Sequence, residues 1–567
     1  MNLQQLIEQL ATDSTESLSW FLPEIVLCAV VMLLLLVRLF DGKQRIDLWF
    51  VAIAGSVVSF LFSQPWLVCD GGVERTEIFT GLLVIDGFTI AVRSIILLFL
   101  VLFLIFTKIS GIPDSEDSPD IYTLVFGATL GMCLMVSSNH LLMVFLAIEM
   151  ASVPSYALAG MLKGRKRGSE AALKYAIYGA GAAGVMLYGI SLLAGLTSSA
   201  HLPTIALQLG ANLGTMSGSE QLVLVLSGLL ISVGVAFKLS AVPFHFWAPD
   251  VFHGSCAEVN AFLSIASKAA ALGLLVRIGI GVGYVPGLEQ DVAHEVEAGP
   301  AVVAGVLPVA EEATDLHEDS IEQEVTINEA LQPVRDFIGK LIALLAMITC
   351  TFGNLAAYSQ TNIKRLLAYS TIAHAGYMMM AIAPLMSSLG SDYGVAEGAL
   401  SGLLLYIVVY VFMNLGAFAV VAFLRNYIAS EEIADYSGMI RSRPYIVVCL
   451  VLALFSLIGL PPLAGFLGKF AVFASIADAF RATDATYLLV LLLVGGANTA
   501  LSLYYYLRVA KVMVMEKPAE GIDIEQYPKA GLEAVYLVAV TLPTALLIFF
   551  WNPVQTYVVD AVKALIS

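Results

Sequence analysis

The chain has 567 residues, of which 59% are hydrophobic and 13% are charged, and its mean hydropathy is +0.87. A composition this apolar excludes a soluble enzyme and indicates a membrane protein with many spans. The formal net charge of -17 arises largely from twelve acidic residues within 284–332, where there is no Lys or Arg, so the remainder is nearly balanced and we expect no nucleic acid partner.

The N-terminal segment, residues 1–119, is expected to contain three membrane helices. Their apolar runs cover residues 19–40, 46–68 and 81–107. The first 18 residues contain no Lys or Arg, so they lack the basic start of a cleavable signal peptide and the first span should be retained. Asp86 and Arg93, seven residues apart on the third span, are expected to neutralise each other.

Residues 120–283 are predicted to form the first of two five-helix units. A mostly apolar run from Gln221 to Cys256 is longer than the ~17–25 residues that one span needs, and it contains Pro243 and Pro249. This pattern predicts a broken helix, which in a bilayer occurs where protein or a hydrated cavity satisfies the freed backbone groups. The spans of this unit are predicted at 120–137, 140–161, 171–195, 221–256 (broken) and 258–283.

Residues 284–332 are predicted to be an acidic inserted loop on the non-cytoplasmic side, either a solvated spacer or an attractor of external cations. The second five-helix unit, residues 333–511, repeats the interruption at Pro461 and Pro462, and residues 512–567 are expected to add a C-terminal helix. The later spans are predicted at 334–357, 364–387, 397–425, 445–478 (broken), 485–511 and 532–556.

The predicted fold is therefore an all-α polytopic membrane protein of about 14 transmembrane helices, with two inverted five-helix repeats that each contain a broken helix. The two broken spans are separated by an odd number of spans, so they enter the membrane in opposite directions, as inverted repeats do. Basic residues concentrate in the odd-numbered loops, for example at 163–167. By the positive-inside rule, both termini are expected outside the cytoplasm.

Four ionisable residues within predicted spans are candidates for proton transfer: Glu149, Lys238, Lys268 and Lys469. A charged lysine at the centre of a span costs ~2.5–3.5 kcal/mol, so such residues mark functional sites. Lys238 is expected to pair with Glu149, and separation of this pair would let the lysine release its proton. The alternative is a static ion pair that fixes helix register, which is weaker for Lys268 and Lys469 because no acid lies near them in sequence.

Five further residues are supporting candidates, and one of them, Glu258, is described below with the departures from the family pattern. Lys174 follows Glu170 by one helical turn, which predicts a surface ion pair, with an influence on the neighbouring helix as the alternative. His245, His253 and His374 lie in or near apolar runs, where each could pass protons near neutral pH or act as a hydrogen-bonded packing residue.

Several kinds of site are not found in the sequence. It has no GxxxxGK[ST], no GxGxxG that opens a helix after a strand, no GxSxG and no HExxH. The six cysteines are scattered and form no CxxC or Cys/His cluster. We therefore expect no cofactor and no metal in this chain, so the energy for any transport must come from elsewhere.

Four stretches carry a family resemblance: AFKLSAVPFHFWAPDVFHGS (236–255), AFLSIASKAA (261–270), NIKRLLAYSTIAHAGY (362–377) and LIGLPPLAGFLGKF (457–470). Together they resemble the antiporter-like membrane subunits of proton-pumping NADH:quinone oxidoreductase, respiratory complex I. The match is closest to bacterial subunit N, the counterpart of mitochondrial subunit 2. Lysine at position 469 is similar to subunit N, since subunit M is expected to have glutamate there.

The resemblance implies a proton-translocating subunit of the complex, with Glu149 and Lys238 as a coupled pair, Lys268 as the central proton site and Lys469 as the link to the outlet or to the neighbouring subunit. It also implies a bacterial inner-membrane location among antiporter-like neighbours and small helical subunits. Flavin, iron-sulfur clusters and quinone are expected in partner subunits. The alternatives are a subunit of a multisubunit cation/proton antiporter or membrane-bound hydrogenase, and a membrane scaffold that transports nothing.

Two features depart from the family pattern. The usual proline-rich run is replaced by SCAEVN (255–260), which places Glu258 at the start of the helix bearing Lys268 and could alter local hydration or the titration of that lysine. The acidic insertion is also longer than the connection expected there, and the resemblance implies no role for it.

Overall fold

The computed structural model describes residues 14–40, 47–64, 73–112, 118–162, 166–285, 327–518 and 531–566. Its helices are α1 Leu22–Phe40, α2 Leu48–Phe62, α3 Gly87–Ser110, α4 Ser118–Ser137, α5 Leu141–Ala159, α6 Lys166–Thr197, α7 Leu202–Asn212, α8 Gly218–Leu239, α9 Trp247–Gly254, α10 Ala257–Gly283, α11 Gln332–Ala357, α12 Ile363–Met379, α13 Ile382–Ser388, α14 Tyr393–Ile428, α15 Pro444–Ile458, α16 Ala464–Thr483, α17 Thr486–Met515, α18 Leu532–Leu546 and α19 Trp551–Ile566. Strands β1 (Thr76–Ile78) and β2 (Leu83–Ile85) form an antiparallel hairpin, and 3-10 turns cover Ile433–Tyr436 and Met439–Arg441.

Within the described residues, eleven helices are long and apolar enough to cross a membrane, or up to thirteen if each of two bent helix pairs counts as one span. Helices dominate because a bilayer offers the backbone no water, so each N–H and C=O must be satisfied within the chain. The predicted class, an all-α multi-pass membrane protein, is confirmed.

The core is centred on α10 and α14. The most apolar window of α10 is 100% buried and that of α14 is 89% buried, compared with 28% for α1 and for α17. Protein therefore surrounds α10 on every side. An ionisable residue near the middle of such a helix faces other side chains and not lipid.

The first predicted helix interruption is present. Helix α8 ends at Leu239, Ser240 takes the left-handed conformation with φ 56°, and the chain is not helical again until α9 begins at Trp247. Pro243 lies within this gap and has no N–H to continue the helical ladder. The predicted span 221–256 is thus two helices joined by a bend.

The second interruption is also present. Helix α15 ends before Gly459, which has φ 86°, and α16 begins after Pro461 and Pro462. The positive φ favours glycine because it has no Cβ. The broken segment covers 444–483, slightly more than the predicted 445–478.

The expected neutralisation of Asp86 by Arg93 is wrong. Asp86 accepts hydrogen bonds from the guanidinium of Arg277 at 2.5 and 2.6 Å, and Arg93 pairs with Glu24 at 3.3 Å. The reason is that Asp86 is the N-cap of α3, where its carboxylate accepts from the Thr89 N–H at 2.8 Å and so lies off the helix face that carries Arg93.

The C-terminal segment differs from the single helix expected over 512–567. Helix α17 extends to Met515, and α18 and α19 meet at an angle of 82°. The predicted span 532–556 therefore does not run straight through the membrane. Charged Asp560 and Lys563 on α19 are exposed, which suits a helix outside the hydrocarbon layer.

The acidic segment 284–332 is described only at its two ends, and residues 286–326 lie outside the described residues. The ends meet: the Val285 N–H donates to Asn328 Oδ1 at 3.0 Å, and Asn328 Nδ2 donates to the Val285 carbonyl at 3.1 Å. Arg335 donates to the carbonyls of Gly283 and Asn328 beside them. This clamp fixes both attachment points of the segment to the bundle.

Candidate functional site

Lys268, near the middle of α10, reaches into the break that follows α8. Its Nζ donates to Ser240 Oγ at 2.5 Å and to the Lys238 carbonyl at 3.2 Å, and it lies 5.5 Å from the centre of the Trp247 ring. Carbonyls at the C-terminus of a helix lack intrahelical partners, so the ammonium supplies a donor that the break requires. In the described chain, no carboxylate forms an ion pair with Lys268.

Lys238, in the last turn of α8, is buried and donates to Ser152 Oγ at 3.1 Å. Ser152 lies on α5, three residues after Glu149, so the two residues share a helix face. Glu149 is half-buried and forms no direct ion pair with Lys238, although the two are near enough for their charges to interact. The predicted pairing of Glu149 with Lys238 stays a prediction.

Lys469, on α16, bonds back across the second break. Its Nζ donates to the Ile458 carbonyl at 3.0 Å and lies 4.2 Å from the centre of the Tyr377 ring. The two half-helices approach closely because of Gly465, where a Cβ would lie only 1.8 Å from the Ser456 carbonyl oxygen. A glycine at that position is what allows Lys469 to reach the end of α15.

His374, on α12, is buried among tyrosines. Its Nδ1 lies 2.8 Å from the Tyr406 hydroxyl and its Nε2 lies 3.2 Å from the Tyr506 hydroxyl. The ring is also 5.4 Å from that of Tyr410. Both ring nitrogens therefore have hydrogen-bond partners, which fits a packing residue and also provides what a proton carrier requires.

A short polar series joins the surroundings of Lys268 to those of His374. Ser264 precedes Lys268 by one turn on α10, and Asn414 Nδ2 donates to Ser264 Oγ at 2.8 Å and to the Tyr410 hydroxyl at 3.0 Å. The sequence reading missed Asn414 and Tyr410. Their four-residue spacing on an apolar helix was the available signal, since it places both polar groups on one face.

Glu258 is buried at the start of α10, 3.6 Å from Arg425, and within the described residues neither of its carboxyl oxygens has a hydrogen-bond partner. Beside it, buried Lys364 pairs with Glu431 at 2.8 Å and donates to the Ser255 carbonyl at 2.8 Å. Glu258 thus belongs to a charged cluster at one end of α10, more than two turns from Lys268.

Within the described residues, the remaining supporting residues form no hydrogen bond or ion pair with Lys238, Lys268 or Lys469. The predicted pair of Lys174 with Glu170 is confirmed at 2.8 Å, and Lys174 also pairs with Asp250 at 2.8 Å. His253 lies on α9 and is half-buried. His245 is buried in the first break with its ring 4.4 Å from that of Phe352.

No group of three or more His, Cys, Asp or Glu side chains in the described part of the chain could hold a metal ion. What the structure places at the centre of the bundle is a set of buried amines, hydroxyls, an amide and an imidazole. Such groups both donate and accept hydrogen bonds, or change between charged and neutral forms. They can therefore hold and pass protons without any redox group.

The comparisons with known proteins agree with this chemistry. The family described as "NADH:quinone oxidoreductase/Mrp antiporter, TM" matches residues 138–288 and 325–496. "NADH-quinone oxidoreductase subunit N 2" of Sorangium cellulosum is 34% identical over 99% of this chain and 100% of its own length.

Two solved structures share the fold. A chain of respiratory complex I from Thermus thermophilus with bound aureothin has a TM-score of 0.67 at 28% identity, covering 94% of this chain and 98% of that one. A chain of the Mrp complex from Dietzia sp. has a TM-score of 0.68 at 17% identity, covering 98% and 97%, which is a likeness of fold alone. The chain therefore belongs to the NADH:quinone oxidoreductase/Mrp antiporter family of transmembrane subunits.

Proposed function

We propose that this chain is the proton-translocating, antiporter-like subunit N of a NADH:quinone oxidoreductase. It couples quinone reduction elsewhere in the complex to proton transfer across the membrane. Identity above 30% over nearly the whole length of a subunit N relative supports this assignment. The chain is one subunit of a larger membrane complex.

One observation carries the proposal. Lys238, Lys268 and Lys469 are each at most 3% exposed, at or beside the two helix breaks, and in the described residues none of them forms an ion pair with a carboxylate. A buried amine without a counter-ion is expensive to keep charged, so its protonation responds to small changes around it. This is the property that a coupled proton site needs.

The relay uses these residues in sequence. Glu149 and Lys238 form the coupled pair, with Lys238 bonded to Ser152 about one turn after Glu149 on α5, and Lys268 is the central site. Lys469 connects to the outlet or to the neighbouring subunit. His374 and its tyrosines extend the path between Lys268 and Lys469 through the polar series on α10 and α14.

The fold behind this relay has fourteen spans. The eleven long helices account for most of them, and the short helix α2, the broken segment α15–α16 and α18 supply the rest. Residues 120–283 and 333–511 form the two inverted units. In support, each unit has a break after a residue with positive φ, and at each break a lysine donates to a carbonyl in the last turn of the preceding half-helix.

The subunit resides in the bacterial inner membrane with both termini and the acidic insertion on the non-cytoplasmic side. Flavin, iron-sulfur clusters and quinone are bound by its partner subunits. Electron transfer in those partners supplies the energy, and this chain moves protons.

The test is Lys268→Ala in the assembled complex, reconstituted in sealed proteoliposomes, with NADH oxidation and proton uptake measured together. Protons moved per NADH should fall about tenfold or more, because the central site is lost. Lys340→Ala is the matched control, since Lys340 is exposed and, within the described ranges, its one ion pair is with Asp336 a turn away. Undiminished pumping by an assembled Lys268→Ala complex would overturn the proposal.

The rival assignment, a cation/proton antiporter subunit, has support from the family description, which includes the Mrp antiporter, and from a likeness of fold to a chain of the Mrp complex. Purification of the native complex separates the two. Flavin and iron-sulfur subunits should accompany this chain, and their consistent absence would favour the antiporter.

A further inference from the structure

A long apolar cavity of about 570 Å³ lies between α8, the C-terminal half of α10 and the N-terminal half of α11. Its volume is within the ~300–1,000 Å³ of small-molecule sites. On α8 its lining extends from Gln221 to Leu239, roughly 27 Å of helix axis. That length approaches the ~30 Å thickness of a bilayer's hydrocarbon core, so the cavity is a slot that runs along the membrane normal.

The chemistry of the slot suits a hydrocarbon chain. Ser227 and Ser232 are among its few polar lining residues, and their hydroxyls are already bonded to the carbonyls of Leu224 and Leu229, each at 2.7 Å. Water needs two to four polar partners to occupy a cavity, and this one offers almost none. A polar headgroup would also find almost no hydrogen-bond partners along the slot.

A separate polar pocket of about 220 Å³ lies next to one end of the slot. Chain neighbours link the two spaces, since Gln221 lines the slot while Glu220 lines the pocket, and Gly214 lines the slot while Thr215 lines the pocket. Val225, at the same end, is 39% exposed, so the slot opens sideways toward lipid.

The charge of the polar pocket selects a headgroup. Glu220, an exposed residue with one carboxyl oxygen that accepts from the N–H and hydroxyl of Ser217, is the charged residue in its lining, and neither space is lined by a Lys or Arg among the described residues. A carboxylate without a nearby base attracts an ammonium group and repels an anionic headgroup.

We propose that the slot and pocket together bind one membrane phospholipid whose headgroup carries an ammonium, with an acyl chain in the slot and the headgroup beside Glu220. Ala236 and Leu239, in the last turn of α8 before the first break, line the far end of the slot. An acyl chain that enters beside Glu220 is therefore directed toward the segment that holds Lys238 and Ser240. This inference does not depend on the proposed function.

The test is Gly228→Phe, which fills the slot. A Cβ at Gly228 would meet Phe337 at an ordinary 3.8 Å, so the new ring can enter the cavity without displacing backbone. Gly496→Phe is the matched control, because it makes the same change of helix propensity where a Cβ meets nothing within 4 Å. Native mass spectrometry of the purified complexes counts and identifies retained phospholipids.

Wild type and Gly496→Phe should retain one more phosphatidylethanolamine per complex than Gly228→Phe. Equal retention by all three, or a retained molecule identified as quinone or an anionic phospholipid, would overturn the proposal. The measurement does not involve proton transfer, so its failure leaves the proposed function unaffected.

A second variant covers the case in which Gly228→Phe fails to assemble. Glu220→Gln keeps the capping box with Ser217, since glutamine serves there as well as glutamate, but removes the charge. On exchange into mixed vesicles of phosphatidylethanolamine and phosphatidylglycerol, the variant should lose the wild-type preference for the ethanolamine lipid. An unchanged preference would contradict the role of Glu220.

Discussion

At both helix breaks, a carbonyl at the end of the preceding half-helix needs a hydrogen-bond donor, and the two breaks supply that donor in different ways. At the first break, the donor to the Lys238 carbonyl is Lys268, which comes from α10, whereas Lys238 itself bonds to Ser152 on α5. At the second break, Lys469 comes from the same broken span and donates to Ile458 across the gap. The first break therefore ties three helices together, and the second is closed within one span.

The surroundings of the two breaks also differ. A carboxylate, Glu149, lies near the first lysine, whereas the second faces the ring of Tyr377 and the tyrosine cluster around His374. An acid can change the charge of a lysine, but an aromatic ring can only favour its charged form. In the proposed relay, the first break is therefore where protonation is controlled and the second is where the charge is received.

Lys469→Met is expected to have the largest effect. This one residue is both the proposed proton carrier and the hydrogen-bond donor to the Ile458 carbonyl at the second break. Proton translocation should fall about tenfold or more. The free energy of unfolding should also drop by about 1–3 kcal/mol, since the buried Ile458 carbonyl loses its donor. Proteoliposome pumping and thermal unfolding measure the two effects, with Lys511→Met on exposed α17 surface as the control. Normal pumping would contradict a proton-carrying role for Lys469.

Lys238→Met should affect proton transfer without affecting stability, because at the first break Lys268, and not Lys238, donates to the helix-end carbonyl. Translocation should again fall about tenfold, because the coupled pair is lost. Unfolding stability should change little, since Lys268 still donates to the residue 238 carbonyl and Ser152 still donates to Ile148. A loss of stability as large as that of Lys469→Met would remove the distinction drawn between the breaks.

Ser240→Gly should have a smaller effect. It removes one hydrogen bond from Lys268, worth about 1 kcal/mol, and should slow translocation about fivefold. Ser240 has φ 56°, which glycine adopts without strain, and Ser240→Ala is the companion variant, since alanine keeps the Cβ that serine already places there and loses only the hydroxyl. Steady-state pumping rates compare it with wild type. A loss as complete as that of Lys268→Ala would show that the hydroxyl does more than orient the lysine.

Tyr377→Leu should have the smallest effect. Loss of the ring below Lys469 removes a cation–π contact worth about 1 kcal/mol, so translocation should fall a few-fold. Tyr377→Phe keeps the ring and removes only the hydroxyl, which accepts from Asn354 Nδ2 at 3.4 Å and also interacts with Thr499 and Cys350, so it should be much closer to wild type than Tyr377→Leu. If the two variants behave alike in the pumping assay, the ring has no electrostatic role.

Much of this architecture could be predicted from sequence because each feature leaves a local signal. Apolar runs mark the spans, and prolines such as Pro243 and Pro461 mark both breaks. The amphipathic helix α7 and the bend before α19 were not predicted, since neither is an uninterrupted apolar run of spanning length.

The partners of buried polar groups could not be predicted, because they are far apart in the chain. Asp86 meets Arg277, 191 residues away, and His374 meets Tyr506, 132 residues away. The lysines could be found from the sequence because they interrupt apolar runs. Their hydrogen-bond partners, Ser152 and Ser240, could be identified only from the structure. The role of Glu149 stays a prediction.

The mutual hydrogen bonds of Val285 and Asn328 have a practical consequence. They fasten both ends of the acidic segment to the bundle. The entropic cost of closing a loop between two fixed ends grows only slowly with the length of the loop. The connection can therefore be shortened, lengthened or replaced by a reporter domain while the registration of α10 against α11 is preserved. The segment between residues 285 and 328 is thus a natural attachment point for a label.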